Sequence, residues 1–145
     1  MPAGLAYFDT SVLVKRYVRE SGSPRARVLL RRYRVLSSAI APLEAISALS
    51  RRRATGDLGQ EDLAALIARI QEDRAHWELI EVGAQILRRA EELIQGTSLR
   101  TLDAVHVASV MAFRAMSRIR IPFVTGDLRQ KDAAGALGLQ VVWVP

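Results

Sequence analysis

Four acids in this chain stand in apolar surroundings: Asp9 in "YFDTSV", Glu44 in "APLEAIS", Asp103 in "TLDAVHV" and Asp127 in "FVTGDL". Removing a carboxylate from water is costly unless it is paired or hydrogen-bonded. Glu20, Asp57, Glu61, Asp62, Glu72, Asp73, Glu91 and Glu92 lie in polar helical or turn contexts and read as solvated. Taken singly, each of the four has a structural explanation. Asp127 can cap the helix it begins, Asp9 can cap a helix starting near Ser11, and Glu44 and Asp103 sit in first turns, where the helix dipole favours an anion. As a set they point to chemistry. Four ionised carboxylates in one cleft repel each other unless a cation holds them. The chain has no cysteine, and its histidines are His76 and His106, so the site would be all oxygen. Hard Mg²⁺ or Mn²⁺ suits such a donor set, accepts phosphate oxygens and can activate water for in-line attack on a phosphodiester.

The elements around these acids predict how they meet. "LAYFD" (5–9) reads as a buried strand and 11–20 as a helix, broken by "SGSP" (21–24). A basic amphipathic helix follows over 25–33, a strand over 34–38, and a helix from Pro42 that Gly56 closes. Further helices are expected over 59–77, 83–96, 101–116 and 127–138, with Gly138 after the last, and strands over 78–82, 121–126 and 139–144. The segment 101–116 is apolar enough to be packed on both sides. Strands too apolar to face water, alternating with helices, predict an α/β fold with a parallel sheet and helices on both faces, in one domain over 1–145. In such a sheet the carboxyl ends of the strands share one edge, where ligands bind. Asp9 ends the first strand, Asp127 follows 121–126, and Glu44 enters the helix after 34–38. Asp103 opens a helix running back towards the start of the next strand, which brings its N-terminus to the same edge.

Charge supplies the complementary term. The formal net charge is +6, carried almost wholly by Arg, with Lys15 and Lys131 the only lysines. This balance favours an anionic partner, most simply nucleic acid. The lack of cysteine excludes disulfides, zinc–thiolate sites and thiol nucleophiles, and fits a reducing cytoplasm. No signal peptide is read at the start, and no apolar run reaches the ~18 residues of a membrane span. Nucleotide-binding glycine loops are absent. A phosphate-transferring aspartate of the haloacid dehalogenase kind would want an acid where Ser11 stands, and a receiver domain would want clustered acids at the first strand and a late lysine.

The residues "YFDTSVLVKRY" (7–17), "SSAIAPLEAISAL" (37–49), "LRTLDAVHVASV" (99–110) and "FVTGDLRQKDAAGALGLQVV" (123–142) together resemble PIN-domain ribonucleases, specifically VapC-type toxins of toxin–antitoxin pairs, over nearly the whole chain. The resemblance implies a three-layer α/β/α PIN-like fold with a five-stranded parallel sheet, a homodimer, and RNA cleavage by metal-activated water. It implies that Asp9, Glu44, Asp103 and Asp127 coordinate Mg²⁺ or Mn²⁺, directly or through water, and that a small antitoxin's tail blocks the cleft. Thr10 and Ser11 match the small polar residues after the first acid, with Ser11 nearer in role to the metal's water or a phosphate, and Thr125 matches the hydroxyl before the last. The stretch from Asp103 to Asp127 is longer than the family's pattern, with 114–120 extending a helix or a loop, and Gly126 gives the turn before Asp127 flexibility. Lys15, Arg16 and Arg100 are candidate phosphate contacts at the cleft rim, or the wet faces of their helices. The same is open for Arg51, Arg52 and Arg53 at a helix end. His106 reads as a hydrogen-bonded support for its helix start and His76 as a surface residue. The apolar faces of 11–34 and 59–70 are either core or cover for a dimer or antitoxin helix. An inactive nucleic-acid-binding or antitoxin-binding module on the same fold is the alternative function.

Overall fold

The computed structural model describes residues 4–145. Their elements are β1 (Leu5–Phe8), α1 (Thr10–Val14), α2 (Ser23–Arg32), β2 (Arg34–Ser38), α3 (Ala41–Ala54), α4 (Gln60–Arg74), β3 (Glu78–Ile80), α5 (Ala84–Gly96), α6 (Thr101–Ser117), β4 (Pro122–Thr125), α7 (Leu128–Ala136) and β5 (Gln140–Trp143). The strands pair in the order β3-β2-β1-β4-β5, and every pairing is parallel. Side chains alternate across this sheet as strand geometry requires. Tyr7, Leu36 and Phe123 face a core completed by α5, α6 and α7. Ala6, Phe8, Val35 and Val124 face a second core with α1 and α2. The sheet is thus covered on both sides, in the three layers expected.

One detail departs from the sequence reading, and one that it left open is resolved. The helix expected over 11–20 stops at Val14, because Lys15, Arg16 and Tyr17 bond three residues back, to Val12, Leu13 and Val14. That tighter winding ends an α-helix. The stretch after Asp103 extends α6 as far as Ser117, where Arg118 closes it in a left-handed conformation at φ 57°. Much of the apolar faces left open between core and cover is core: Val14, Tyr17 and Val18 pack with Ala45 and Leu49 of α3 and with Leu63 and Ile70 of α4, while Val28 stays exposed.

The strand order sets the position of the site. The chain leaves β1 towards β2 on one side and later adds β4 on the other. The connections after β1 and β4 therefore diverge, leaving a crevice at the carboxyl ends of these two strands. Asp9 and Asp127 are the residues that follow there, and the Asp9 amide donates to the Val124 carbonyl at 3.0 Å.

Candidate active site

The four acids reach one cavity from four separated segments. Asp9 is the N-cap of α1, Asp127 the N-cap of α7, and Glu44 and Asp103 lie in the first turns of α3 and α6. All four line a cavity of about 970 Å³ with Thr10, Ser11 and Lys15, and it continues along α3 past Ser47 to Arg51 and Arg52.

Asp9 is the most buried acid, with 3% of its surface exposed, and it does not cap its own helix. One carboxylate oxygen, Oδ2, accepts from the hydroxyls of Ser11 and Thr125. The other, Oδ1, accepts from Gln130 Nε2 at 3.1 Å. The same nitrogen donates to Asp103 Oδ1 at 2.9 Å, so one amide ties two carboxylates. Two acceptors opposite one nitrogen fix that amide's orientation, because a carbonyl oxygen there would face two anions. Asp127 accepts the backbone amide of Gln130 at 2.9 Å, which makes it a true helix cap.

Glu44 is held from beneath. Its Oε1 accepts the Thr10 hydroxyl at 2.8 Å and His106 Nε2 at 2.6 Å. His106 is fully buried, its Nδ1 lies 2.8 Å from the Tyr7 hydroxyl, and its Nε2 lies 3.6 Å from Asp9 Oδ1. Burial alone would push the imidazole pKa down, but the bond to Glu44 and the charges of Asp9, Glu44 and Asp103 raise it. Burial pushes Glu44 up, yet His106, Thr10 and Arg51 outweigh it, so Glu44 ends below its ordinary value. Asp103 goes the other way. Burial and the charges of Asp127 and Asp9 raise it, against the lowering bond from Gln130. The pocket therefore carries negative charge that its own residues do not fully compensate.

That excess makes the donor set a fit for a hard cation. Glu44 Oε2, Asp103 Oδ2 and Asp127 Oδ2 accept no hydrogen bond among the described residues, while all four acids border one cavity. Among those residues, as they stand, no three His, Asp or Glu side chains are grouped so that they could together hold a metal ion. An open arrangement suits Mg²⁺, which takes one or two carboxylates and keeps several waters.

The other candidate residues divide. Thr10 and Ser11 line the cavity, but their hydroxyls serve Glu44 and Asp9. Lys15 also lines it, with Nζ bound to the Ser21 carbonyl and to Glu20. Four readings need correction. Thr125 does not line the cavity: it is fully buried under Asp9 because side chains alternate along β4. Arg16 turns away to Asp73 of α4 at 3.0 Å, and Arg100, the exposed N-cap of α6, also lies off the cavity. Gly126 is needed for space rather than flexibility, since a Cβ there would stand 2.5 Å from the Val144 carbonyl. Gln130 and Tyr7 were not foreseen. The signal for Gln130 was its place three residues after a helix-capping acid, in "DLRQ".

Comparison with known proteins agrees with this fold. Residues 6–136 match the family model of the PIN domain. Ribonuclease VapC46 of Mycobacterium tuberculosis is 34% identical over 139 residues, covering 94% of this chain and 95% of its own. Ribonuclease VapC45 of the same species is 34% identical over 109 residues, covering 74% and 76%. Among solved structures, FitAcB from Neisseria gonorrhoeae superposes with a TM-score of 0.70 at 14% identity, over 94% of this chain and 96% of that one. The sarcin–ricin loop cleaving toxin VapC20 of M. tuberculosis gives 0.63 at 18% identity, over 88% and 94%. With the sheet order, the acids at its switch point and these matches together, the chain belongs to the PIN-domain family and is a relative of the VapC ribonucleases.

Proposed function

We propose that this protein is an endoribonuclease, the toxin of a toxin–antitoxin pair, in which Asp9, Glu44, Asp103 and Asp127 hold Mg²⁺ or Mn²⁺. The observation that carries this reading is the convergence of four acids from separate segments on one cavity of an otherwise basic protein. The relatives named as VapC ribonucleases support it. A bound divalent ion would supply positive charge to the phosphate oxygens and lower the pKa of an attacking water. The chain's own residues prepare that chemistry. The Asp9 carboxylate is held by Ser11, Thr125 and Gln130, and its backbone amide donates to the Val124 carbonyl, so the carboxylate costs little reorganisation on use. Glu44 is aimed by Thr10 and His106. The arm of the cavity along α3 leads to Arg51, whose guanidinium bonds only Ser47 among the described residues and is free to meet a phosphate of the same strand.

An antitoxin and a second copy of the chain belong to the same proposal. Structures similar in fold include a toxin–antitoxin complex from Klebsiella pneumoniae and VapBC2 from Rickettsia felis bound to a DNA fragment from their promoter. Exposed apolar side chains such as Leu87, Met116 and Ile119 offer surface that such partners would cover. The test is cleavage of a structured RNA by purified protein with Mg²⁺ or Mn²⁺, with EDTA, and with Asp9→Asn. Cutting that stops in EDTA, returns with the ion and is lost in the variant is expected. Cutting that persists unchanged in EDTA overturns the proposal, and RNA or antitoxin binding without any cutting would leave a binding module.

A further inference from the structure

Helix α7 opens with a motif that is only half used. An N-cap acid with Gln three residues later normally forms a reciprocal pair, in which the Gln side chain bonds back to the backbone amide of the cap. Here Asp127 takes the Gln130 amide, but the returning bond is missing. The Asp127 amide goes instead to the Thr125 hydroxyl at 3.0 Å. Gln130 is thereby released from its local duty, and its side chain turns inward, 1% exposed, between Asp9 and Asp103. Its carbonyl oxygen lies 3.1 Å from the Thr125 hydroxyl, whose single hydrogen it shares with Asp9 Oδ2. A departure from a local rule with a buried polar group aimed at a site is where function is to be sought.

We infer that Gln130 is a positioning residue that substitutes for cationic charge between Asp9 and Asp103, holding one oxygen of each and leaving Asp103 Oδ2 for a divalent ion. The inference rests on the proposed nuclease site and concerns how that site is kept ready. Three acids depend on this one residue: two through its side-chain nitrogen and Asp127 through its backbone. A neutral donor suits the task better than Lys or Arg, because a fixed cation would compete with the ion for the same carboxylates.

The test is calorimetric titration of Mn²⁺ into the metal-free full chain, with Gln130→Leu and Gln130→Asn beside the native protein. Folding is checked by circular dichroism, and kcat and KM are measured on the same RNA. Leu keeps the volume and removes both donors; Asn keeps an amide but is one methylene too short to span the two acids. Each variant is expected to weaken Mn²⁺ binding about 10- to 100-fold, as loss of a group that orients metal ligands does. In Mn²⁺ well above the variant's Kd, kcat should fall and KM should stay within about twofold, since substrate binding is left intact. A purely structural Gln130 would lower the melting temperature of both variants and leave Mn²⁺ affinity of the folded protein unchanged, which overturns the inference. If Gln130→Leu does not fold, Gln130→Asn decides alone. A native chain that binds no Mn²⁺ and cuts no RNA would overturn the nuclease reading and this inference with it. Native binding and cutting with unaltered variants would remove only the role of Gln130.

Discussion

Neutralising Asp103 should make the metal-free protein more stable while destroying its response to metal. Asp9 Oδ1 and Asp103 Oδ1 accept from one nitrogen at 3.1 and 2.9 Å. Two donors of an amide diverge by about 120°, so these oxygens lie about 5 Å apart. Two unit charges at that separation repel by about 3 kcal/mol at an effective dielectric of ~20. Asp103 is only half-buried, and solvent reduces the recoverable part to about 1 kcal/mol. In Asp103→Asn the amide oxygen still accepts from Gln130 and the repulsion is gone. For a domain of this size about 1 kcal/mol raises the melting temperature by about 2–4 °C. Divalent ion at ~100 times its Kd should add about 2.7 kcal/mol to the native protein, roughly 5–11 °C, and little to the variant. The stability order therefore inverts: variant above native in EDTA, native above variant in Mn²⁺. Scanning calorimetry in both conditions reads it directly. A variant that melts below the native protein in EDTA would refute the reasoning, since the acids would then not be in mutual repulsion.

Three further outcomes follow from the same structure. His106 has a raised pKa, so its contribution to metal-free stability is full below its ordinary 6.5 and is lost as pH rises past the raised value; Glu44, lowered, contributes fully above 4.5 and loses this as pH falls through its lowered value. The pair is thus worth most between 4.5 and 6.5, and the melting temperature in EDTA should fall above that window in the native protein but not in His106→Asn. Gly126→Ala places a methyl 2.5 Å from the Val144 carbonyl. Forcing backbone apart at that contact should cost about 1–3 kcal/mol in chemical denaturation, with cleavage impaired through the displaced Asp127. Arg51→Ala should raise KM several-fold with kcat unchanged, and lower the salt-dependence slope of RNA binding by about 1; an unchanged slope would take Arg51 off the substrate path.

The large-scale placement of the site was legible because it depends on connectivity. Parallel strands align their carboxyl ends, so Asp9 after β1 and Asp127 after β4 had to lie at one edge whatever the side chains did. What escaped was decided by contacts between residues far apart in the chain. Helical periodicity groups Lys15 and Arg16 on a segment but does not say which faces the cavity; Asp73, 57 residues on, draws Arg16 the other way. Thr125 reads as a site hydroxyl through the resemblance, as the hydroxyl before the last acid, yet strand alternation sends it under Asp9. Gln130 looks like an ordinary first-turn residue until Thr125 is known to occupy the amide that its side chain would have served. His106 shows the converse. Its spacing from Asp103 suggested support of its own helix, whereas its partners are Tyr7 and Glu44 on two other elements.

The central claim is that the four acids tolerate one another because they share a divalent ion. A crystal grown with Mn²⁺ and measured at the manganese absorption edge tests it most directly. The account predicts an anomalous peak in the cavity between Asp9, Glu44, Asp103 and Asp127, lost in Asp103→Asn. A saturated crystal with no peak there, or with its manganese bound elsewhere and these acids paired to arginines, would contradict it.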